Sequence, residues 1–219
     1  MKKAFETPWP DGHEELTVLA LPDLDRDAAP GTGTPLARLV DRVRTFVRPI
    51  DGLSPVPDAA LHLTIQPVNH LLFDAPPVGD DTVEILVKEL MGLCGAWSAF
   101  SLMMGSPVIG RGGITLDSHP PEPFNLFVHE VREAIRHVCG PDSIGYDTRP
   151  GHMALVCATR DLDTDDFASA LRHVQPSHAD MLVRTIVLAR VRQNPPAACY
   201  ELDVVDRFEL QDPRHLRST

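Results

Sequence analysis

Two histidines with similar neighbours are the side chains in this sequence best suited to chemistry. His62 lies in the apolar segment 61–65, with Thr64 two residues later, and His152 opens the apolar segment 152–158. Histidine titrates near neutral pH, so one imidazole can remove a proton from an attacking water while the other protonates a departing oxygen. Two histidines that face each other across one cleft would therefore be suited to acid–base cleavage of a phosphodiester.

Thr64 places a hydrogen-bond donor near the first histidine. In a β-strand, residues i and i+2 point to the same side and lie about 6–7 Å apart. Thr64 can then bind a phosphate oxygen while His62 reaches a reacting atom. Gln66 continues the same alternation and either lines the cleft or points to water. A single His-x-Thr triplet recurs by chance, so the motif gains meaning only because His152 opens a second strand after a turn.

The elements that must position these residues follow from hydrophobic periodicity. Apolar runs predict β-strands over residues 15–21, 61–68, 100–108, 113–117, 152–158, 181–191 and 198–210. Helical periodicity, with Pro35, Asp80 and Asp81, Pro123 or Thr164 as start signals, predicts α-helices over residues 35–48, 80–94 and 123–139 and a short helix after residue 164.

Each half of the sequence thus contains strands and helices in a similar order, with one strand that carries a histidine. We expect an α+β protein with a bilobal, duplicated fold. Two mostly antiparallel sheets would line a central cleft, with the helices outside. The chain would form a single two-lobed domain over residues 1–219.

Composition narrows the classes of partner. The 219 residues are 43% hydrophobic and 23% charged, as in ordinary globular proteins, and the net charge is −11. Proteins that bind long RNA usually present a basic face, so the acidic balance favours a small or terminal phosphate ligand. No run approaches the roughly 20 apolar residues of a membrane span. The sequence starts without the apolar run of a signal peptide. We expect a cytoplasmic monomer without a membrane partner.

Cysteine and histidine spacing indicates neither disulfides nor a metal site. Cys94, Cys139, Cys157 and Cys199 are scattered, which is typical of reduced core residues in a cytosolic protein. The remaining histidines lack the spacing of metal ligands. We therefore expect no metal and no cofactor.

In its motifs and in the order of its elements, the sequence resembles the two-histidine (2H) phosphoesterase superfamily, in its branch of 2′-5′ RNA ligases and RNA 2′,3′-cyclic phosphodiesterases. The order of the elements agrees from about residue 15 to residue 210. The segments that carry the resemblance are Leu61-His62-Leu63-Thr64-Ile65, His152-Met153-Ala154-Leu155, and the closing pair of strands over residues 183–192 and 200–210.

The resemblance implies metal-independent hydrolysis of a cyclic or linear phosphodiester on a nucleotide or an RNA end. It implies that His62 and His152 are the acid–base pair and that Thr64 binds the phosphate. Arg149, three residues before His152, either meets a phosphate or is a solvated loop arginine, and the sequence does not distinguish the two.

The second motif departs from the family pattern, which has threonine or serine where this chain has Ala154. A methyl group cannot donate to a phosphate oxygen, and a lost charge-assisted hydrogen bond costs about 1.5–3 kcal/mol. The family also usually has proline directly before the second histidine, where this chain has Gly151. Two alternatives therefore stay open: a catalytically weakened protein that binds nucleotides or phosphate ligands, and a 2′-5′ RNA ligase.

Overall fold

The structure, a computed structural model, describes residues 1–25, 33–68, 78–119, 122–148 and 151–212. Within these ranges the chain forms four α-helices and nine β-strands, which belong to two antiparallel sheets. The fold class is α+β, as predicted, and it is consistent with the 2H phosphoesterase fold.

The first sheet joins strands from opposite ends of the sequence. Its order is β3-β1-β8-β9. These strands are β1 (Glu15–Leu21), β3 (Leu63–Pro67), β8 (Thr185–Asn194) and β9 (Cys199–Glu209). The predicted first strand has the observed bounds: five of its seven residues are apolar, and all but Leu21 are buried.

The second sheet has five strands in the order β2-β6-β5-β4-β7. They are β2 (Leu53–Pro55), β4 (Phe100–Ile109), β5 (Gly113–His119), β6 (His152–Ala158) and β7 (His178–Val183). β6, which begins at the second histidine, pairs with β5 on one side and with the short β2 on the other.

Helices cover both sheets. The helices are α1 (Pro35–Val47), α2 (Asp80–Ala96), α3 (Phe124–Cys139) and α4 (Asp165–Leu171). α2 and α3 pack together and against the first sheet, whereas α1 packs against the second sheet although it comes from the first half of the chain. Each lobe is built on one sheet, the first lobe on the first sheet and the second lobe on the second, and both sheets contain strands from both halves of the sequence, so the lobes are interleaved in sequence. Among the described residues, no helix has the length and apolar character needed to cross a membrane.

Some predicted boundaries were wrong. The predicted strand over residues 181–191 is two strands, β7 and β8, which lie in different sheets and are separated only by Arg184. The Arg184 carbonyl accepts a hydrogen bond from the Leu210 amide at this crossover. No glycine or proline marks the crossover, so the apolar run reads as one strand. The three-residue strand β2 also has no periodic signal.

Asp80 and Asp81, the predicted start signal of α2, do not cap this helix, whereas Thr164 is the N-cap residue of α4, as predicted. The N-cap of α2 is Gly79, so Asp80 and Asp81 lie in the first turn, where their charge favours the helix dipole. Thr164 occupies the N-cap of α4, but its side chain makes no capping hydrogen bond.

Gly151 allows β6 to begin close to the core. A Cβ atom at this position would lie 2.8 Å from a ring carbon of Phe124, which is fully buried at the start of α3. Close packing against Phe124 therefore favours glycine at the position before His152, where the family usually has proline.

Replacing Gly151 by alanine should reduce stability by about 1–3 kcal/mol, because the added methyl group forces a shift of the Phe124 ring or of the backbone before His152. Denaturant unfolding measures the effect. The matched control is Gly92→Ala, where a Cβ meets open space on helix α2 and a gain of about 0.5–1 kcal/mol is expected. Equal stability of the two variants would contradict the packing role.

Candidate functional site

His62 and His152 line the same cavity, which has a volume of about 500 Å³. His62 directly precedes β3 of the first sheet, and His152 is the first residue of β6 of the second sheet. Each sheet thus contributes one imidazole to one cleft. This is the arrangement expected from the two histidine-bearing strands.

A bulge in each histidine-bearing strand selects which side chains face the cavity. In β3, Thr64 pairs with Leu19 and Gln66 with Val18, so Ile65 has no partner. In β6, Ala154 pairs with Thr115 and Val156 with Ile114, so Leu155 has no partner. The extra residue resets the alternation of side chains. The cavity is consequently lined by positions i, i+2 and i+5 of both strands, which are His62, Thr64, Pro67, His152, Ala154 and Cys157.

The bulge in β3 corrects the expectation for Gln66. Its side chain turns away from the cavity, is fully buried and accepts a hydrogen bond of 2.7 Å from the Arg132 Nε atom of α3. Arg132 also donates to the Tyr146 carbonyl and to the Asp147 carboxylate. This network fixes residues 146–147 at the edge of the cavity, and the Thr148 hydroxyl adds a hydrogen bond to the carbonyl of bulged Ile65.

The His62 imidazole is oriented by the turn before it. Its Nδ1 atom lies 2.7 Å from the Ala60 carbonyl oxygen, at the end of the 3-10 turn Asp58–Ala60. A carbonyl can only accept, so Nδ1 carries the proton and the lone pair of the neutral ring lies on Nε2. Burial lowers the pKa of His62, the Ala60 carbonyl raises it, and the charge of His152 lowers it further. The net shift is downward, so His62 is neutral at pH 7.

His152 is exposed and has a carboxylate as its neighbour on the adjoining strand. Asp117 of β5 pairs directly with His152, so both side chains project from the same face of the sheet, and both line the cavity. His152 also acts electrostatically on His62 across the cleft. The charge on one imidazole therefore affects the pKa of the other.

The hydroxyl and methyl side chains of the two motifs both reach the cavity. Thr64 lies beside His62, and Ala154 lies beside His152. The structure thus brings three of the four predicted site residues, His62, Thr64 and His152, into one cavity together with Ala154. Arg149, the fourth, lies outside the described residues, so its proposed contact with phosphate stays a prediction.

An aromatic wall that sequence reasoning missed stands next to His62. The Tyr200 ring lies 6.1 Å from the His62 ring, and Phe5 and Trp9 pack on Tyr200 with ring centroids 5.1 and 5.9 Å away. Burial, mainly, raises the pKa of Tyr200, so its phenol stays neutral. Only tertiary packing brings the chain start and β9 to the motif, so no local signal identifies these residues.

Carboxylates contribute most of the charge on the described cavity lining. Glu15, Asp117 and Asp147 line it, and no lysine or arginine does so among residues that the structure describes. Glu15 begins β1, where its side chain is buried with only 6% exposure. Over the described residues, the ionisable side chains of this lining are thus carboxylates, histidines, cysteines and tyrosines.

Two of the cysteines predicted to be core residues line the cavity. Cys157 and Cys199 both contact it, and none of the four cysteines forms a disulfide. Burial and the neighbouring Cys199 raise the pKa of Cys157 to about 11. The Cys157 thiol is therefore neutral and a weak nucleophile at pH 7. In the described part of the chain, no three His, Cys, Asp or Glu side chains are grouped so that they could hold a metal ion.

Solved structures with low sequence identity share this fold. TT0787 of Thermus thermophilus superposes with a TM-score of 0.64 at 18% identity, and the alignment covers 91% of this chain and 99% of that one. A protein described as a phosphoesterase gives 0.57 at 14% identity, over 91% and 99% of the two chains. E. coli LigT complexed with NADP⁺ gives 0.55 at 13% identity, over 91% and 100%.

E. coli LigT has also been solved with 3′-AMP, where the TM-score is 0.56 at 13% identity and the coverage is 91% and 100%. No protein-family model and no curated protein matches the chain. At these identities the likeness shows the shared fold alone.

His152→Ala should raise the pKa of His62, because it removes a positive charge from the same cavity. The value should stay below the ordinary 6.5, since burial still disfavours the charged ring. NMR titration of the imidazole C–H signals measures the shift, with His129→Ala, on an exposed position of α3, as the control. An unchanged His62 pKa in His152→Ala would refute the electrostatic coupling of the two rings.

Proposed function

We propose that this protein is a phosphodiesterase that hydrolyses a 2′,3′-cyclic or related phosphodiester of a nucleotide or RNA end, without a metal ion. The observation that carries the proposal is that the two sheets each supply one histidine to the same cavity. The hydroxyl of Thr64 beside one of them supports a role in binding phosphate.

We assign His62 as the general base and His152 as the general acid. Neutral His62 takes a proton from water through Nε2, and the water oxygen forms a bond to phosphorus. The bond from phosphorus to the ribose oxygen breaks, and protonated His152 gives its proton to that oxygen. Opening a cyclic phosphodiester in this way gives a phosphomonoester and a free hydroxyl. The low pKa of His62 and the fixed proton on its Nδ1 support the base role.

The charged side chains of the cavity lining act differently on the substrate and on the product. A phosphodiester has one negative charge, which protonated His152 can offset, and Thr64 can donate a hydrogen bond to one of its oxygens. The monoester product has nearly two negative charges at pH 7. Glu15, Asp117 and Asp147 repel the product more strongly than the substrate. The lining therefore favours release of the product, and it disfavours the long RNA that a ligase would hold.

A nucleotide-sized substrate suits the cavity. Its volume of about 500 Å³ lies within the range of small-molecule sites. Trp9 and Tyr200 on its wall give a base aromatic side chains to pack against. The complexes of E. coli LigT with 3′-AMP and NADP⁺ support a nucleotide ligand for this fold.

Ala154 favours a second candidate function, in which the cavity binds a phosphate ligand with little turnover. The cavity surface beside His152 has a methyl group at the position where the first motif has a hydroxyl. Tight binding of a nucleotide without product over hours would favour this candidate.

Removing either histidine should lower kcat/KM for 2′,3′-cyclic nucleotides by about 10²–10⁴-fold, because each supplies a proton transfer in the transition state. Phosphorus NMR follows the hydrolysis by the wild type, His62→Ala and His152→Ala, in the presence and absence of a chelator. The chelator should leave the wild-type rate unchanged.

His129→Ala is the matched control, since this exposed histidine of α3 is not part of the cavity lining, and it should keep the wild-type rate. Equal rates for all four proteins would refute the mechanism. A rate that depends on added metal would refute the metal-independent form of the reaction.

A further inference from the structure

The hydroxyl beside His62 has an apolar partner on the neighbouring strand. Thr64 of β3 pairs directly with Leu19 of β1, and both side chains line the cavity. Directly paired residues in antiparallel strands project from the same face, with Cβ atoms about 4.5–5.5 Å apart. The first lobe therefore presents one hydroxyl and one apolar side chain at this level of the cleft.

The second lobe contains the same two kinds of side chain with the strands exchanged. Ala154 of β6 pairs directly with Thr115 of β5, immediately beside the pair of His152 and Asp117. In both lobes the pair lies two residues after the histidine and just before the bulge. The hydroxyl is on the histidine-bearing strand in the first lobe and on the adjoining strand in the second.

Thr115 is positioned to meet a ligand held at His152. It is half-buried and lines a depression of about 540 Å³ that has His152, Ala154 and Tyr200 in common with the main cavity. Its hydroxyl makes no hydrogen bond to any other residue in the described ranges. The lining of this depression also includes Lys3, Arg111 and Glu6, of which Arg111 and Glu6 form an ion pair.

We propose that Thr115 supplies the phosphate-binding hydroxyl of the second lobe, in place of the methyl group of Ala154. This inference rests on the proposed function, because it assumes that a phosphate lies between the two histidines. Thr115 approaches that phosphate from β5, about one strand spacing, roughly 4.8 Å, from the position that a hydroxyl at residue 154 would take. The phosphate-binding hydroxyl of the second lobe then lies on β5 instead of β6.

Exchanges that move the hydroxyl between strands test the inference. Thr115→Val keeps the β-branched shape and removes the donor, so kcat/KM for a 2′,3′-cyclic nucleotide and the affinity for inorganic phosphate should each fall about 10-fold or more. Thr115→Ser keeps the donor and should stay within about threefold of the wild type. Thr82→Val, at a half-buried threonine of α2, is the control for the exchange itself and should change neither quantity.

The double variant Thr115→Val/Ala154→Thr separates a ligand contact from a packing effect. It returns a hydroxyl to the same level of the cleft, so it should recover most of the loss. Ala154→Thr alone should add little to the wild type, because Thr115 already makes the contact, and the two substitutions should therefore be strongly non-additive. A loss in Thr115→Val that Ala154→Thr does not reverse at all would overturn the proposal.

The two readouts distinguish this inference from the proposed function. If hydrolysis depends on His62 and His152 but Thr115→Val matches the wild type in rate and in phosphate affinity, the role of Thr115 is refuted and the function stands. If no protein hydrolyses the nucleotide but Thr115→Val weakens phosphate binding and Thr82→Val does not, the role of Thr115 stands and the phosphodiesterase is refuted.

Discussion

The antiparallel pairing of the two histidine-bearing strands with their neighbours determines which side chains face the cleft. β3 is held by β1, and β6 is held by β5, each with one unpaired residue at the bulge. The carbonyl of bulged Ile65 accepts from Thr148, and that of bulged Leu155 accepts from the Val56 amide, so neither bulge leaves this buried acceptor unsatisfied. Without these bulges, Gln66 and Val156 would face the cavity instead of Pro67 and Cys157.

The electrostatic character of the cleft follows from this backbone arrangement. His62 lies against the Ala60 carbonyl and near the Tyr200 ring, and burial lowers its pKa, which keeps the ring neutral. His152 lies at the exposed start of its strand beside Asp117. Two imidazoles in unlike surroundings can take unlike roles, one as a base and the other as an acid. The similarity of the two motifs in sequence therefore does not make the site symmetric.

The interleaving of the lobes links the site to the stability of the whole fold. The first sheet needs β8 and β9 from the end of the chain, and α1 covers the second sheet. Arg132 of α3 reaches Gln66 in β3 and the segment that carries Asp147, so a helix, a strand and a loop of the cleft share one buried polar network. These hydrogen bonds couple the three elements to one another at the edge of the cleft.

The sequence by itself determined the α+β class, the bounds of β1 and β6 and the start of α1, and its short motifs predicted that His62 and His152 share one cleft. These features depend on local periodicity and on short motifs, which a single chain displays directly. Only the tertiary structure decided that Gln66 leaves the cleft, that Tyr200 and Trp9 enter it, and that Thr115 lies opposite Ala154. The physical reason is that bulges, sheet crossovers and strand register depend on partners distant in sequence, so local patterns do not encode them.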